Sequence, residues 1–134
     1  MARTPMSTLA LVALAFGICL FPIGWLSLYT PPLRFVTDIV FATDTAHAVG
    51  HTAMFAALGA LVLGVWTALR RHPWRYAALL LCAGLAQEVL QLLYKQRPVG
   101  FDEFRDLGFD LLGIALAWLV VRALGRGHAS AAWR

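Results

Sequence analysis

Side chains able to exchange protons, bind metals or hold anions recur at helical spacing in an otherwise apolar chain. His47 and His51 are four residues apart, as are Asp102, Asp106 and Asp110, while Glu88 follows Gln87 and precedes Gln91 by three. A four-residue step advances only about 40° around an α-helix, so each set forms a short polar stripe on one face. Imidazoles and carboxyls on facing stripes can pass protons to and from a substrate, and Arg97 adds a fixed cation suited to a phosphate or carboxylate. Glu88 and Asp106 are therefore the candidate catalytic acid or base, with His51 as partner. Gln91, Arg97, Asp110 and His47 are the candidate substrate-binding groups.

The elements that must position these groups belong in lipid. The chain of 134 residues is 60% apolar and 13% charged, with a mean hydropathy of +0.72. A soluble domain averages roughly 25% charged residues, so polar surface here is too scarce for a water-soluble globule. The fold class expected is all-α: a polytopic membrane protein of one domain, 1–134, with four transmembrane helices at about 7–29, 46–69, 75–94 and 104–124. Each is close to or above the ~20 residues needed to cross a ~30 Å hydrocarbon core. The first is expected to be a retained anchor rather than a cleaved leader, because no small-x-small site follows Tyr29. Pro22 could kink it, and Thr30-Pro31-Pro32 ends it. Leu33 to Thr43 then reads as a short interfacial helix able to roof a site. No internal repeat, low-complexity segment or second domain is evident.

Basic residues set the expected orientation. Arg3, Arg70, Arg71, Arg75, Arg122, Arg126 and Arg134 share one side, whereas Arg34, Lys95, Arg97 and Arg105 share the other. Seven against four places both termini in the cytoplasm. All seven acids, Asp38, Asp44, Glu88, Asp102, Glu103, Asp106 and Asp110, then lie toward the outer face. A net charge of +4 and a pI near 9.7 suit anchoring against anionic lipid, and no nucleic-acid motif accompanies them.

Smaller features read structurally. Trp25, Tyr29, Trp74, Tyr76 and Tyr94 fall near span ends as an aromatic belt, and Cys19 and Cys82 are expected to be buried small hydrophobes. Ala56, Ala60 and Gly64, and Gly113 with Ala117, would let helix backbones approach. Asp102 is expected to N-cap span four, with Glu103 in a solvated helix start. Glu88, six residues before Tyr94, would lie about 9 Å below the outer edge. An ionised carboxylate at mid-helix costs about 2.5–3.5 kcal/mol, which marks it as functional; the structural alternative is a pair with Arg97 or a His that only locks the bundle.

Four segments in order resemble the VanZ-like family of small bacterial membrane proteins. Val49-Gly50-His51 with Phe55 and Leu58-Gly59 resembles its second span, Glu88-Val89-Leu90-Gln91 its Glu-x-x-Gln, and Arg97 its following basic residue. Asp106, Asp110 and Gly113 resemble its Asp-x-x-x-Asn-x-x-Gly. The likeness covers about Val49 to Gly113. His47-Ala48 stands where the family has Asp-Lys, Asp110 replaces the Asn, and the stretch from Arg97 to Asp106 is longer. The resemblance implies a location in the bacterial cytoplasmic membrane, a role in the cell envelope and an effect on glycopeptide antibiotic sensitivity.

Three functional classes stay open: an enzyme acting on a lipid-linked phosphate or glycan, a lipid-binding or translocating protein, and an assembly factor. The expected partners are membrane lipids. Lys95-Gln96-Arg97-Pro98 resembles the opening of the lipid phosphate phosphatase signature, but its Ser-Gly-His segment is absent. No nucleotide loop, nucleophile elbow or Cys/His zinc pattern is present. The spacing of His47, His51, Asp106 and Asp110 permits a bridging metal, but the ligand types follow no diagnostic pattern, so neither metal nor cofactor is expected.

Overall fold

The computed structural model describes residues 6–20, 26–27, 29–40, 42–96 and 98–131. Its elements in chain order are α1 (Met6–Leu20), α2 (Pro31–Val40), α3 (Asp44–Val65), a 3₁₀ turn (Thr67–Arg71), α4 (Pro73–Lys95) and α5 (Phe101–Ala131). No strand occurs among the described residues, in accord with the expected all-α class.

Three helices are long and apolar enough to cross a membrane: Asp44–Val65, Pro73–Lys95 and the Phe101–Gly125 part of α5, of 22, 23 and 25 residues. Four were expected. The difference lies in the first, described over α1 as 15 residues with a rise of about 22 Å. The rest of the expected span, with Pro22 and Trp25, lies largely outside the described residues. Along α4 and α5, Leu85, Val89, Leu93, Leu112, Leu119 and Val120 are all exposed. Water would not tolerate such a continuous apolar surface, whereas lipid does.

Local chemistry sets the helix ends. Thr43, in extended conformation, accepts a 3.1 Å hydrogen bond from the Ala46 N–H, and Asp44 follows in the first turn, where the helix dipole favours an acid. α3 stops at Val65 rather than near Leu69, because Arg70 Nε donates to the Leu63 carbonyl at 2.9 Å and the chain tightens into the 3₁₀ turn. Pro73 opens α4 with its φ preset, and Gln96 closes it in the left-handed region at φ 50°. The fifth helix begins at Phe101, one residue before the expected cap. Asp102 thus falls in the first turn, and Glu103 Oε2 instead accepts from the Gly100 N–H at 2.7 Å, half of a capping box. Glu103 is buried, not solvated.

α3 and α5 pack along their lengths, α4 rests mainly on α5, and α1 leans on α3 and α4. The core is Phe55, Leu58, Val62, Leu63, Tyr76, Leu80, Ala83 and Ile114. Gly113 makes the α3–α5 contact feasible: a Cβ there would collide with the Thr52 carbonyl and lie 2.9 Å from the Ala56 nitrogen. Ala60 and Gly64 face outward instead of packing, since each four-residue step drifts about 40° and two steps carry a residue off the seam. Gly59 takes their place, against Tyr76 and Ala117. Tyr76 leaves the expected aromatic belt: it is 1% exposed and its hydroxyl donates to the Ile114 carbonyl at 3.0 Å, while Trp74 stays 66% exposed. Cys82 is exposed rather than buried. The side chain of Cys19 lies outside the described residues.

α2 is amphipathic as expected, with Phe35, Val36 and Ile39 exposed and Arg34 and Asp38 paired at 3.7 Å. It has no extensive packing against any other described element. Ten residues with one apolar stripe can rest at a headgroup boundary without a protein partner.

Candidate functional site

Two turns of α3 meet two turns of α5 near the end of the bundle where both helices begin. His47 and His51 project from α3 with ring centroids 4.8 Å apart and planes inclined at 47°. Asp106 and Asp110 face them from α5. His47 Nε2 is 3.1 Å from Asp106 Oδ2, and His51 Nδ1 is 2.8 Å from Asp110 Oδ1. A diagonal of 3.9 Å joins His51 Nε2 to Asp106 Oδ2. The result is a two-rung ladder, and the close approach at Gly113, one turn below Asp110, lets these short side chains meet. Thr52 adds a 3.3 Å bond to the Phe109 carbonyl beside the lower rung.

α4 closes the third side. Gly84 lies directly against Asp110, where a Cβ would come within 2.8 Å of Asp110 Oδ2. One turn further along, Glu88 is 5% exposed and offers a carboxylate oxygen within 4.8 Å of ligand atoms of His51 and Asp110. Neither Glu88 Oε1, Asp110 Oδ2 nor Asp106 Oδ1 has a hydrogen-bond partner among the described residues. Three carboxyls withdrawn from water with oxygens unsatisfied are costly, since a buried polar group without a partner loses its full hydration. Buried carboxyl oxygens of this kind are ordinarily satisfied by an ordered water, an ion or a ligand.

Burial grades along the ladder. The His47 side chain is 30% exposed, His51 and Asp106 are nearly enclosed, and Asp110 is fully enclosed. Arg105 stands at the mouth with Nη1 3.7 Å from Asp44, Nη2 3.5 Å from Asp102 and Nε 3.9 Å from Asp106. Its charge is thus shared among three acids, and it reaches only the outermost of the buried ones.

Of the residues expected at a site, Glu88, His51, Asp106, Asp110 and His47 come together. Gln91 does not join them: it is half-buried one turn further along α4 and accepts from Lys95 Nζ at 2.8 Å. Arg97 lies outside the described residues. Asp102, the third acid of the expected stripe, turns away to Arg105 because two steps rotate it by about 80° from Asp110. Arg105 joins the list. The i, i+3 spacing of Asp102 and Arg105 was visible in sequence; the Arg105–Asp44 link, made between different helices, was not.

The arrangement supports two kinds of chemistry. With a carboxylate at Nδ1, a neutral His51 keeps its proton on that nitrogen and presents Nε2 as a lone pair toward Asp106, the form needed by a general base or a metal ligand. Two overlapping triads have ligand atoms mutually within 4.8 Å: His47, His51 and Asp106, and His51, Glu88 and Asp110. No protein-family model matches the chain, and comparison with curated proteins and solved structures gives no significant match. The functional reading therefore rests on the cluster itself.

Proposed function

We propose that this chain is a VanZ-like protein of the bacterial cytoplasmic membrane, with four spans, both termini cytoplasmic and its His–carboxylate cluster opening toward the outer leaflet. On this reading it handles or modifies a lipid-linked component of the envelope and thereby affects glycopeptide sensitivity. The supporting observation is His51, held at 2.8 Å by Asp110 and 3.9 Å from Asp106, beside the buried Glu88, in an otherwise apolar bundle. A bundle needing only packing would not maintain three carboxyls at this depth.

As an enzyme, Glu88 or Asp106 would serve as acid or base toward the substrate, with His51 as partner. Asp110 would hold the imidazole in orientation, as carboxylates partnered to catalytic histidines do. Lys95, in the last turn of α4, and Arg97, two residues on in sequence, would supply the positive charge that draws in an anionic headgroup. A non-enzymatic lipid-binding or translocating protein would use the same groups to pass a headgroup, and the i, i+4 ladder from exposed His47 to enclosed Asp110 favours this as the second reading.

Mass spectrometry of lipids copurifying with the protein tests both. Enrichment of one anionic or lipid-linked species over bulk lipid, lost in Asp106→Asn, is expected. Identical bulk lipid in the wild type and the variant would overturn lipid handling at this cluster.

A further inference from the structure

The cluster gathers three carboxyls, which in ionised form would repel an anionic substrate unless a cation stood between them. Glu88, Asp106 and Asp110 are all buried, and Arg105 reaches only Asp106, at 3.9 Å, while engaging Asp44 and Asp102 as well. The outer triad has the features of a metal site. His47 and His51 occupy i and i+4 on one helix, the spacing by which two imidazoles reach a common ion, and Asp106 adds a carboxylate from a second helix. Four ligands at about 2.0–2.1 Å in a tetrahedron lie about 3.3 Å from one another. Here Asp106 Oδ2 is 3.1 Å from His47 Nε2 and 3.9 Å from His51 Nε2, and all three ligand atoms lie within 4.8 Å of one another, near the spacing a shared ion requires.

Two further observations point the same way. Asp110 Oδ1 at 2.8 Å from His51 Nδ1 is the outer carboxylate that orients a ligating imidazole and turns its other nitrogen to the ion. The carboxyl groups of Asp106, Glu88 and Asp110 lie around the same imidazole, so a divalent charge here would offset all three.

We infer that His47, His51 and Asp106 bind one divalent cation of the borderline class, such as Zn²⁺, with Asp110 positioning His51. The partly exposed His47 gives the ion an entry path, and three protein ligands leave a coordination position for water or a phosphate oxygen. Glu88, near His51 and Asp110 but outside this triad, stays free to act as the acid or base of the proposed reaction. The i, i+4 spacing permits a metal although the ligand types follow no diagnostic pattern; the ladder geometry supplies what that pattern lacks. The inference deepens the lipid-phosphate reading of this cluster, but metal content is measured without reference to any lipid or phenotype.

The test is elemental analysis of the full chain, purified in detergent without chelator, together with Co²⁺ titration followed by visible absorption. About one equivalent of metal per chain and a saturable tetrahedral Co²⁺ spectrum are expected. His47→Ala and Asp106→Asn should abolish both, Asp110→Asn should weaken Co²⁺ binding about 10- to 100-fold, and Glu88→Gln and His72→Ala should leave stoichiometry unchanged. Circular dichroism and gel filtration keep misfolded variants from counting as losses. Wild-type protein that neither carries metal nor takes up Co²⁺ overturns the site, as does undiminished binding by folded Asp106→Asn. Loss with Glu88→Gln in place of Asp106→Asn would move the ion to the inner triad and overturn this assignment. A metal-replete protein with no lipid enrichment would leave the site standing and remove the lipid reading alone.

Discussion

Asp110 is the most constrained residue of the site. It is fully enclosed, bonded through one oxygen to His51, and its other oxygen faces Gly84. That contact makes Gly84 part of the site although it bears no functional group. Gly84→Ala would place a methyl 2.8 Å from Asp110 Oδ2. It is expected to cost about 1–3 kcal/mol in thermal unfolding and to disturb the His51 hydrogen bond, as overpacking does. Gly108→Ala, with nothing within 4 Å of the added methyl, should be neutral or stabilise by up to about 1 kcal/mol through helix propensity. Equal unfolding temperatures for the two variants would contradict the assigned packing. At this scale the sequence was informative about residue types and poor about partners. The i, i+4 spacings placed His47 with His51 and Asp106 with Asp110, yet which histidine meets which aspartate depends on the α3–α5 register, set by Gly113 under Thr52.

The helices are legible wherever composition alone decides them. Expected spans 46–69, 75–94 and 104–124 correspond to Asp44–Val65, Pro73–Lys95 and Phe101–Ala131, because long uncharged runs leave the backbone only intrahelical bonding in lipid. Ends were less legible, being decided by single hydrogen bonds such as Arg70 to Leu63 and Glu103 to Gly100. The same holds where α4 stops. Gln96 adopts φ 50° and ψ 41°, a left-handed cap that suits glycine. Gln96→Gly is expected to raise stability by about 1 kcal/mol, and Gln96→Val to lower it by at least as much, because a β-branched side chain clashes there. Differential unfolding in one detergent would check this; a destabilising glycine would show that the cap geometry differs.

Across the whole molecule, charge is segregated along the bundle. The histidines, Glu88 and the aspartates gather where α3 and α5 begin and α4 ends. At the opposite end Arg70, Arg71 and Arg122 line a cleft of about 470 Å³ with Trp118, over which the Arg122 guanidinium sits at 4.7 Å. The proposed orientation puts that arginine-rich end in the cytoplasm against anionic lipid. A cysteine at Val99 should then react with an impermeant thiol reagent applied to intact cells, and one at His72 should not, both positions being exposed. The reverse labelling would put the cluster on the cytoplasmic side and exclude an outer-leaflet substrate.

The central claim is that the intramembrane cluster performs chemistry rather than packing, and Glu88→Gln separates the two most directly. Glutamine keeps the size and hydrogen-bonding capacity of Glu88 while removing its charge and exchangeable proton. Unfolding temperature, expression and complementation of a deletion strain for its envelope phenotype are to be measured on the same variant. The account predicts stability equal to or above that of the wild type, because a buried charge is removed, together with loss of complementation. A glutamine variant that is stable, normally expressed and fully complementing would contradict it, leaving Glu88 as a filler of the α4–α5 seam.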